Sequence, residues 1–228
     1  MSLYAIGDLH LCLGAPKPMD IFGGAWTGYM SKLKESFSCV NEGDTTVLMG
    51  DLSWALDLEG AKEDFAWIND IPGRKIILKG NHDYWWSTAA KFYKFCDMNG
   101  FANQFILNNN HYEYNGWAIC GTRGWFYEEE RCNQQDEKVF KRELLRLETS
   151  LCSAGELPKL VFLHYPPRYK GYTCDPILEL LAKYNVRKCF YGHLHGASHG
   201  LAMEGIWDGI EYQLLSADRI NFKPEKIL

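Results

Sequence analysis

The chain has 228 residues, 46% hydrophobic and 23% charged, with a formal net charge of -5. Such a length builds one large or two small domains around a substantial core, and such a composition excludes a disordered or fibrous chain. The acidic balance offers no general pull on nucleic acid, no apolar run is long enough to cross a bilayer, and none of the eight cysteines stands in a C-x-x-C pair.

In chain order, Tyr4-Ala5-Ile6 reads as a first short strand. Leu11 to Gly24, rich in Gly and Pro, reads as a loop over the end of that strand. Met30, Leu33 and Phe37 recur on one face and predict a helix over Tyr29 to Phe37. Asn41-Glu42-Gly43-Asp44 turns into a second strand, Thr45 to Met49. Glu59 to Asn69 reads as a helix burying Ala61, Phe65 and Ile68, stopped by Ile71-Pro72-Gly73. A third strand, Ile76-Ile77-Leu78, follows, and Ser87 or Thr88 caps a helix through Cys96. Gln104 to Leu107 and Tyr112 to Tyr114 read as a strand-like pair across Asn108-Asn109-Asn110.

Trp117 to Cys120 is another buried strand. The run Glu128-Glu129-Glu130 reads as a solvated loop, and His111 as a solvated turn residue. Asp136 to Leu151 carries the clearest helical pattern. Phe140, Leu144, Leu147 and Leu151 share one face, with Lys138, Arg142, Glu143 and Arg146 placed elsewhere. Lys159 to Leu163 and Lys188 to Tyr191 are further strands. Between them Asp175-Pro176 starts a helix with proline at its first position, burying Ile177, Leu180, Leu181 and Tyr184. Ile210 to Leu214 alternates like a half-buried strand. Strands alternating with helices predict an α/β class. With no repeat or composition break, residues 1–228 read as a single domain. The start of the chain reads as strand rather than leader, and the expectation is a cytoplasmic chain with reduced thiols. Cys39, Cys120 and Cys189 read as core fillers.

Polar residues recur where these strands end. The first runs into Gly7-Asp8-Leu9-His10, the second into Gly50-Asp51, and the third into Gly80-Asn81-His82-Asp83. The later strands run into His164 and into Gly192-His193-Leu194-His195. Ligands bind at the carboxyl ends of strands in open α/β sheets, and glycine permits tight turns and close approach there. Oxygen and imidazole donors without thiolate suit Mn, Fe or Zn better than Cu(I) or an iron–sulfur cluster. If the Gly192 to His195 segment stays extended, its alternation sends both imidazoles to one side. Local positive charge from bound cations offsets the acidic balance, so a phosphate-bearing ligand is compatible with it.

The order Asp-x-His, Gly-Asp, Gly-Asn-His-Asp, His and Gly-His-x-His, from Asp8 to His195, resembles the calcineurin-like metallophosphoesterase superfamily. The resemblance implies a four-layer α/β/β/α sandwich of two mixed sheets flanked by helices. It implies two divalent metal ions, with manganese expected and iron, zinc, cobalt or nickel also suited. Asp8, His10, Asp51 and His195 would hold the first ion. Asp51, Asn81, His164 and His193 would hold the second, so Asp51 bridges. A bridging hydroxide would attack phosphorus. The resemblance leaves His82 without a metal, free to protonate the leaving oxygen, as its ordinary pKa near neutrality allows. Asp83 would orient it.

The implied substrate is a phosphomonoester or phosphodiester, carried by a small molecule, a nucleotide or a phosphoprotein. After Asp51 the chain reads Leu52-Ser53-Trp54 where the Ser/Thr phosphatase branch has Arg-Gly. The pattern therefore resembles a small stand-alone bacterial-type phosphoesterase. A catalytically silent metal-binding scaffold of the same fold is the alternative, and the full ligand set with His82 weighs against it. A zinc amidohydrolase also places His-x-His after a strand, but near the chain start, and has no place for Gly-Asn-His-Asp. Arg123, Arg168, His199 and Cys12 lie close to the motifs, and Tyr84, Trp85 and Trp86 read as core more than as a substrate platform.

Overall fold

The computed structural model describes residues 1–126 and 134–228, and the run Glu128-Glu129-Glu130 falls outside them. The chain divides into two compact units, Met1–Ile106 with Leu215–Leu228, and Leu107–Leu214.

The first unit is organised by four short apolar strands: β1 (Leu3–Ile6), β2 (Thr45–Met49), β3 (Arg74–Leu78) and β4 (Gln104–Ile106). They lie parallel in that order, and a C-terminal strand, Glu225–Lys226, pairs antiparallel with β1. Every residue of β2 is buried. Its Val47-Leu48-Met49 run is apolar on both faces, as in parallel strands covered on both sides. The helices are α1 (Tyr29–Ser36), α2 (Lys62–Asp70) and α3 (Ala89–Asn99). Leu33, Phe65, Ile68 and Phe92 from these helices join Ile6, Leu48 and Ile77 from the strands in one core. The Thr88 hydroxyl accepts from Lys91 N at 3.2 Å to cap α3, and Gly100, at φ 72°, ends it. Only glycine adopts that left-handed ending without strain. The helix expected from Glu59 begins at Lys62, because Gly60 N–H donates to Asp57 Oδ1 at 2.8 Å in a turn instead.

The second unit carries β5 (Tyr112–Tyr114), β6 (Trp117–Thr122), β7 (Lys159–Leu163), β8 (Arg168–Tyr169), β9 (Tyr172–Thr173), β10 (Lys188–Tyr191), β11 (Gly205–Trp207) and β12 (Ile210–Leu214). Its main sheet has the order β11-β12-β10-β7-β6-β5, with β8 and β9 forming a small separate hairpin. The central β6, β7, β10 and β12 are parallel, and the edges β5 and β11 run antiparallel. The helices are α4 (Gln134–Ser153) and α5 (Asp175–Lys183). Phe140, Leu147 and Leu151 of α4 and Ile177 and Leu181 of α5 enter a second core with Val161, Cys189 and Tyr212. Leu180 and Tyr184 are only half-buried. Glu143, expected on the open side of α4, is buried. It accepts from Thr122 Oγ1 at 2.6 Å and from Arg146 Nη1 at 2.7 Å, and those partners offset the cost of burial.

The fold is therefore mixed α/β, with two large mixed sheets flanked by helices, in agreement with the resemblance. Two local expectations are corrected. Gln104–Ile106 and Tyr112–Tyr114 both form strands, but they enter different sheets rather than pairing. Gln104 registers with Lys75 on β3, Tyr112 registers with Ile119 on β6, and the units divide between Ile106 and Leu107. Cys39, in a short 3-10 turn, is exposed, whereas Cys120 and Cys189 are buried. Among the described residues no helix is long and apolar enough to cross a membrane.

Candidate functional site

In the first unit the hydrogen-bond ladder between β1 and β2 continues past the strands. Asp8 N–H donates to Gly50 O at 2.9 Å, His10 N–H to Asp51 O at 2.9 Å, and Leu11 N–H to Leu52 O at 2.8 Å. Trp54 N–H returns to Leu11 O at 3.0 Å. This zipped extension fixes Asp8 and His10 beside Asp51. It also forces them into left-handed backbone, with φ 61° at Asp8, 46° at His10 and 50° at Asp51. For residues with a Cβ each such conformation costs on the order of 1–3 kcal/mol and persists only where surrounding structure imposes it, commonly at functional sites. All three are buried.

The turn after β3 is tied to the turn after β2. A Cβ at Gly80 would overlap the Oδ1 and backbone N of Asp51, so only glycine allows this approach. His82 N–H donates to Asp51 Oδ1 at 2.7 Å. Asp83, fully buried, accepts from the backbone N–H of Asp51 (2.8 Å), Leu52 (2.8 Å), Ser53 (3.4 Å) and Gly80 (2.7 Å), and from the Trp85 indole N–H (2.8 Å). A carboxylate has about four acceptor sites, and these partners fill them. The expected direct contact of Asp83 with the His82 imidazole is thus replaced by a clamp on the backbone of both turns. The imidazole has aromatic neighbours instead. Its centre lies 4.8 Å from Trp54, and its Nδ1 lies 3.4 Å from the Tyr84 hydroxyl. Tyr84 is exposed and Trp85 buried, so of that aromatic triplet Trp85 matches the core reading and Tyr84 does not.

His10 Nε2 and Asp51 Oδ2 stand 4.0 Å apart. That is too long for a hydrogen bond. It suits two donors that each sit about 2.0–2.2 Å from one ion. With Asp51 Oδ1 engaged by His82 N–H, Oδ2 is the oxygen turned toward His10, and the residues of this unit fit a divalent cation.

The second unit presents imidazoles. His164 follows β7, with its N–H and that of Tyr165 both donating to Arg123 O, at 3.1 and 2.8 Å. Gly192 N–H donates to His164 O at 3.0 Å, which ties the end of β10 to the end of β7. Leu194 N–H donates to Gly192 O at 2.9 Å, and His193 between them has φ 71°. This is a γ-turn with a left-handed central residue, a strained form. The extended alternation expected over Gly192 to His195 is corrected accordingly: buried Leu194 shapes a turn, not a strand. The ring of His193 lies 4.4 Å from Tyr165, 5.3 Å from Phe126 and 5.2 Å from His164. His195 precedes a 3-10 turn over Gly196–Leu201, which includes His199.

Several nearby residues have structural duties. Arg123 lies 3.4 Å from Glu143 Oε1 and over the Trp125 ring, and Arg168 pairs with Asp208 at 2.7 Å over Tyr212. His111 is within 2.9 Å of the Ser153 hydroxyl rather than solvated alone. Cys12 Sγ touches the Tyr29 hydroxyl at 3.2 Å, and that hydroxyl donates to His10 O at 3.0 Å, so its link to the site is indirect. Sequence reasoning missed Trp54 and Tyr165, the rings packed on His10 and His193. Their positions beside Asp51 and His164 were the only signal.

Each unit therefore places oxygen or imidazole donors at strand ends, a set that first-row divalent ions accept. No curated protein matches the chain. Among solved structures, the chain is similar to AQ665, a protein of unknown function from Aquifex aeolicus, at 18% identity and TM-score 0.53, covering 99% of this chain and 95% of that one. It is also similar to TT1561 of Thermus thermophilus, at 12% identity and TM-score 0.51, covering 98% and 96%. Both likenesses concern the fold alone. The family model for calcineurin-like phosphoesterases matches residues 1–197, and with Asp8, Asp51, Asn81, His164 and His193 falling within that span, the chain belongs to the calcineurin-like phosphoesterase family.

Proposed function

We propose that the protein is a phosphoester hydrolase working with two divalent metal ions, and that residues 1–228 act as one metallophosphoesterase domain to which both units contribute. In this reading Asp8, His10, Asp51 and His195 hold one ion, while Asp51, Asn81, His164 and His193 hold the other. Manganese is the expected ion, with iron, zinc, cobalt or nickel as substitutes of similar ligand preference. Held by these residues, the ions would supply positive charge to the phosphoryl oxygens and lower the pKa of a water.

The chain's own residues do the rest. His82 gives a proton to the leaving oxygen, with its ring set between Trp54 and Tyr84. Asp83 acts as a positioning residue: it holds the Asp51 and Gly80 amides, and so fixes where His82 begins. Substrates are phosphomonoesters or phosphodiesters of a small molecule, a nucleotide or a phosphoprotein. Free cysteines throughout the described residues favour a reducing, cytoplasmic setting. The observation that carries the reading is the pair His10 Nε2 and Asp51 Oδ2, buried 4.0 Å apart on left-handed backbone.

The test is chelator stripping followed by metal return, assayed on a panel of monoesters, diesters and nucleotides. Hydrolysis should vanish on stripping and return with Mn²⁺ but poorly with Ca²⁺, which prefers more oxygen ligands at longer distances. A preparation shown metal-free by elemental analysis that hydrolyses a phosphoester at the untreated rate ends the two-metal reading.

A further inference from the structure

Lys17 is exposed, yet its side chain is held in place. Its ammonium lies 3.5 Å from the centre of the Trp54 ring, well inside cation–π range. The loop that carries it is stiff. Pro16 and Pro18 fix their own φ angles and restrict the residues before them, Ala15 and Lys17. Lys17 N–H donates back to Ala15 O at 2.8 Å. Beneath the ammonium, Trp54 stacks on His10 with ring centres 4.8 Å apart and planes 21° apart. The same indole lies 4.8 Å from the His82 ring. Steps of 3.5 and 4.8 Å through one indole therefore link a fixed cation to the imidazole assigned to the leaving oxygen. Among the described residues no carboxylate pairs with Lys17. An ammonium has three donors and the ring face takes only part of their field, so N–H groups stay available to an anion.

We propose that Lys17, seated on Trp54, forms an anionic subsite on the leaving-group side, selecting phosphoesters whose leaving group carries a second phosphate. The proposal rests on the hydrolase reading for its chemistry, because His82 marks that side of the substrate. Held by two prolines and a ring, the lysine loses little further freedom when an anion binds, which is why a surface cation contributes here more than a mobile one would.

The test compares 1,3-propanediol bisphosphate with propyl phosphate on the Mn²⁺-loaded full chain. Wild type should prefer the bisphosphate in kcat/KM. Lys17→Met should lower that preference about tenfold, the scale of one charge-assisted hydrogen bond, and Lys17→Arg should keep most of it. Added KCl should erode the preference in wild type, because exposed charges are screened. An unchanged ratio in Lys17→Met overturns the proposal. Binding of the bisphosphate, measured by calorimetry with wild type and with Lys17→Met, separates the two readings. If neither ester is hydrolysed but Lys17→Met binds about tenfold more weakly, the subsite stands and the hydrolase reading falls. Equal binding by the two proteins sinks the subsite.

Discussion

The two units solve one structural problem alike and another differently. In each, a buried lysine in the first two positions of a strand turns back on the preceding loop. Lys75 donates to the carbonyls of Ile71 and Gly73, and Lys159 to those of Gly155 and Leu157, four and two residues upstream in both cases. At the opposite ends of their strands the units diverge. The first unit buries the carboxylates of Asp8, Asp51 and Asp83, and turns backbone N–H donors onto those of Asp51 and Asp83. The second buries His164 and packs His193 among Tyr165 and Phe126, and backbone bonds from Gly192 and Leu194 set the turn. The difference follows from charge. A buried carboxylate is costly unless hydrogen-bonded, whereas an imidazole ring can also pack against aromatic faces. Substitutions in the first unit should therefore act through hydrogen bonds and charge, and those in the second through packing.

The sharpest separation is expected from Asp51→Asn against His164→Asn. Losing the Asp51 charge should weaken both metals and bring hydrolysis to background, while His164→Asn should weaken one. Metal content of the purified variants checks this, and two full sites with normal turnover in Asp51→Asn would remove the bridge. His82 is the first unit's exception, an imidazole with no metal assigned. His82→Ala should keep its metals and lose about 10²–10⁴ in kcat on esters with poor leaving groups, the usual share of general acid catalysis. Nitrophenyl esters should suffer less; loss of metal instead would make His82 a ligand.

Asp83→Ala breaks the clamp and orphans several buried donors. At about 1–3 kcal/mol each, the unfolding free energy should fall by at least about 3 kcal/mol, as read by urea titration. A fall below about 1 kcal/mol would show that the turns hold without it.

Lys75 gives a smaller, pH-dependent effect. Burial lowers its pKa from 10.5 to about 8. Between those values the unfolded chain binds more protons than the folded one, so this lysine makes stability rise with pH over that window. Buried Cys96 and Cys120, pushed up to about 12 and about 11 by burial, act in the opposite sense above the ordinary thiol range. The informative quantity is thus wild type minus Lys75→Met, at pH 7.5 and pH 10. It should increase with pH, and a flat difference would contradict a depressed Lys75. Smallest of all, Tyr165→Leu in the second unit should cost about 1 kcal/mol through lost ring contacts. A loss as large as that of Asp83→Ala would erase the contrast between the units.

What the sequence by itself determined was local. The strand cores over Thr45–Met49, Lys159–Leu163 and Lys188–Tyr191 appear where their β-branched and aromatic runs placed them. Thr88 and Pro176 marked helix starts because caps and proline act within a few residues. The donor residues at strand ends were legible for the same reason: a polar residue after a buried run stands out without knowledge of its neighbours. Tertiary structure decided everything that depends on a distant partner. Glu143 is buried where Thr122, on β6, meets it, and Gln104–Ile106 and Tyr112–Tyr114 part company because they pair with β3 and β6. Asp83 serves the backbone of Asp51, thirty-two positions earlier, rather than the imidazole beside it in sequence. A hydrogen bond is chosen by proximity in space and by the desolvation it offsets, and neither is written in the order of residues along the chain.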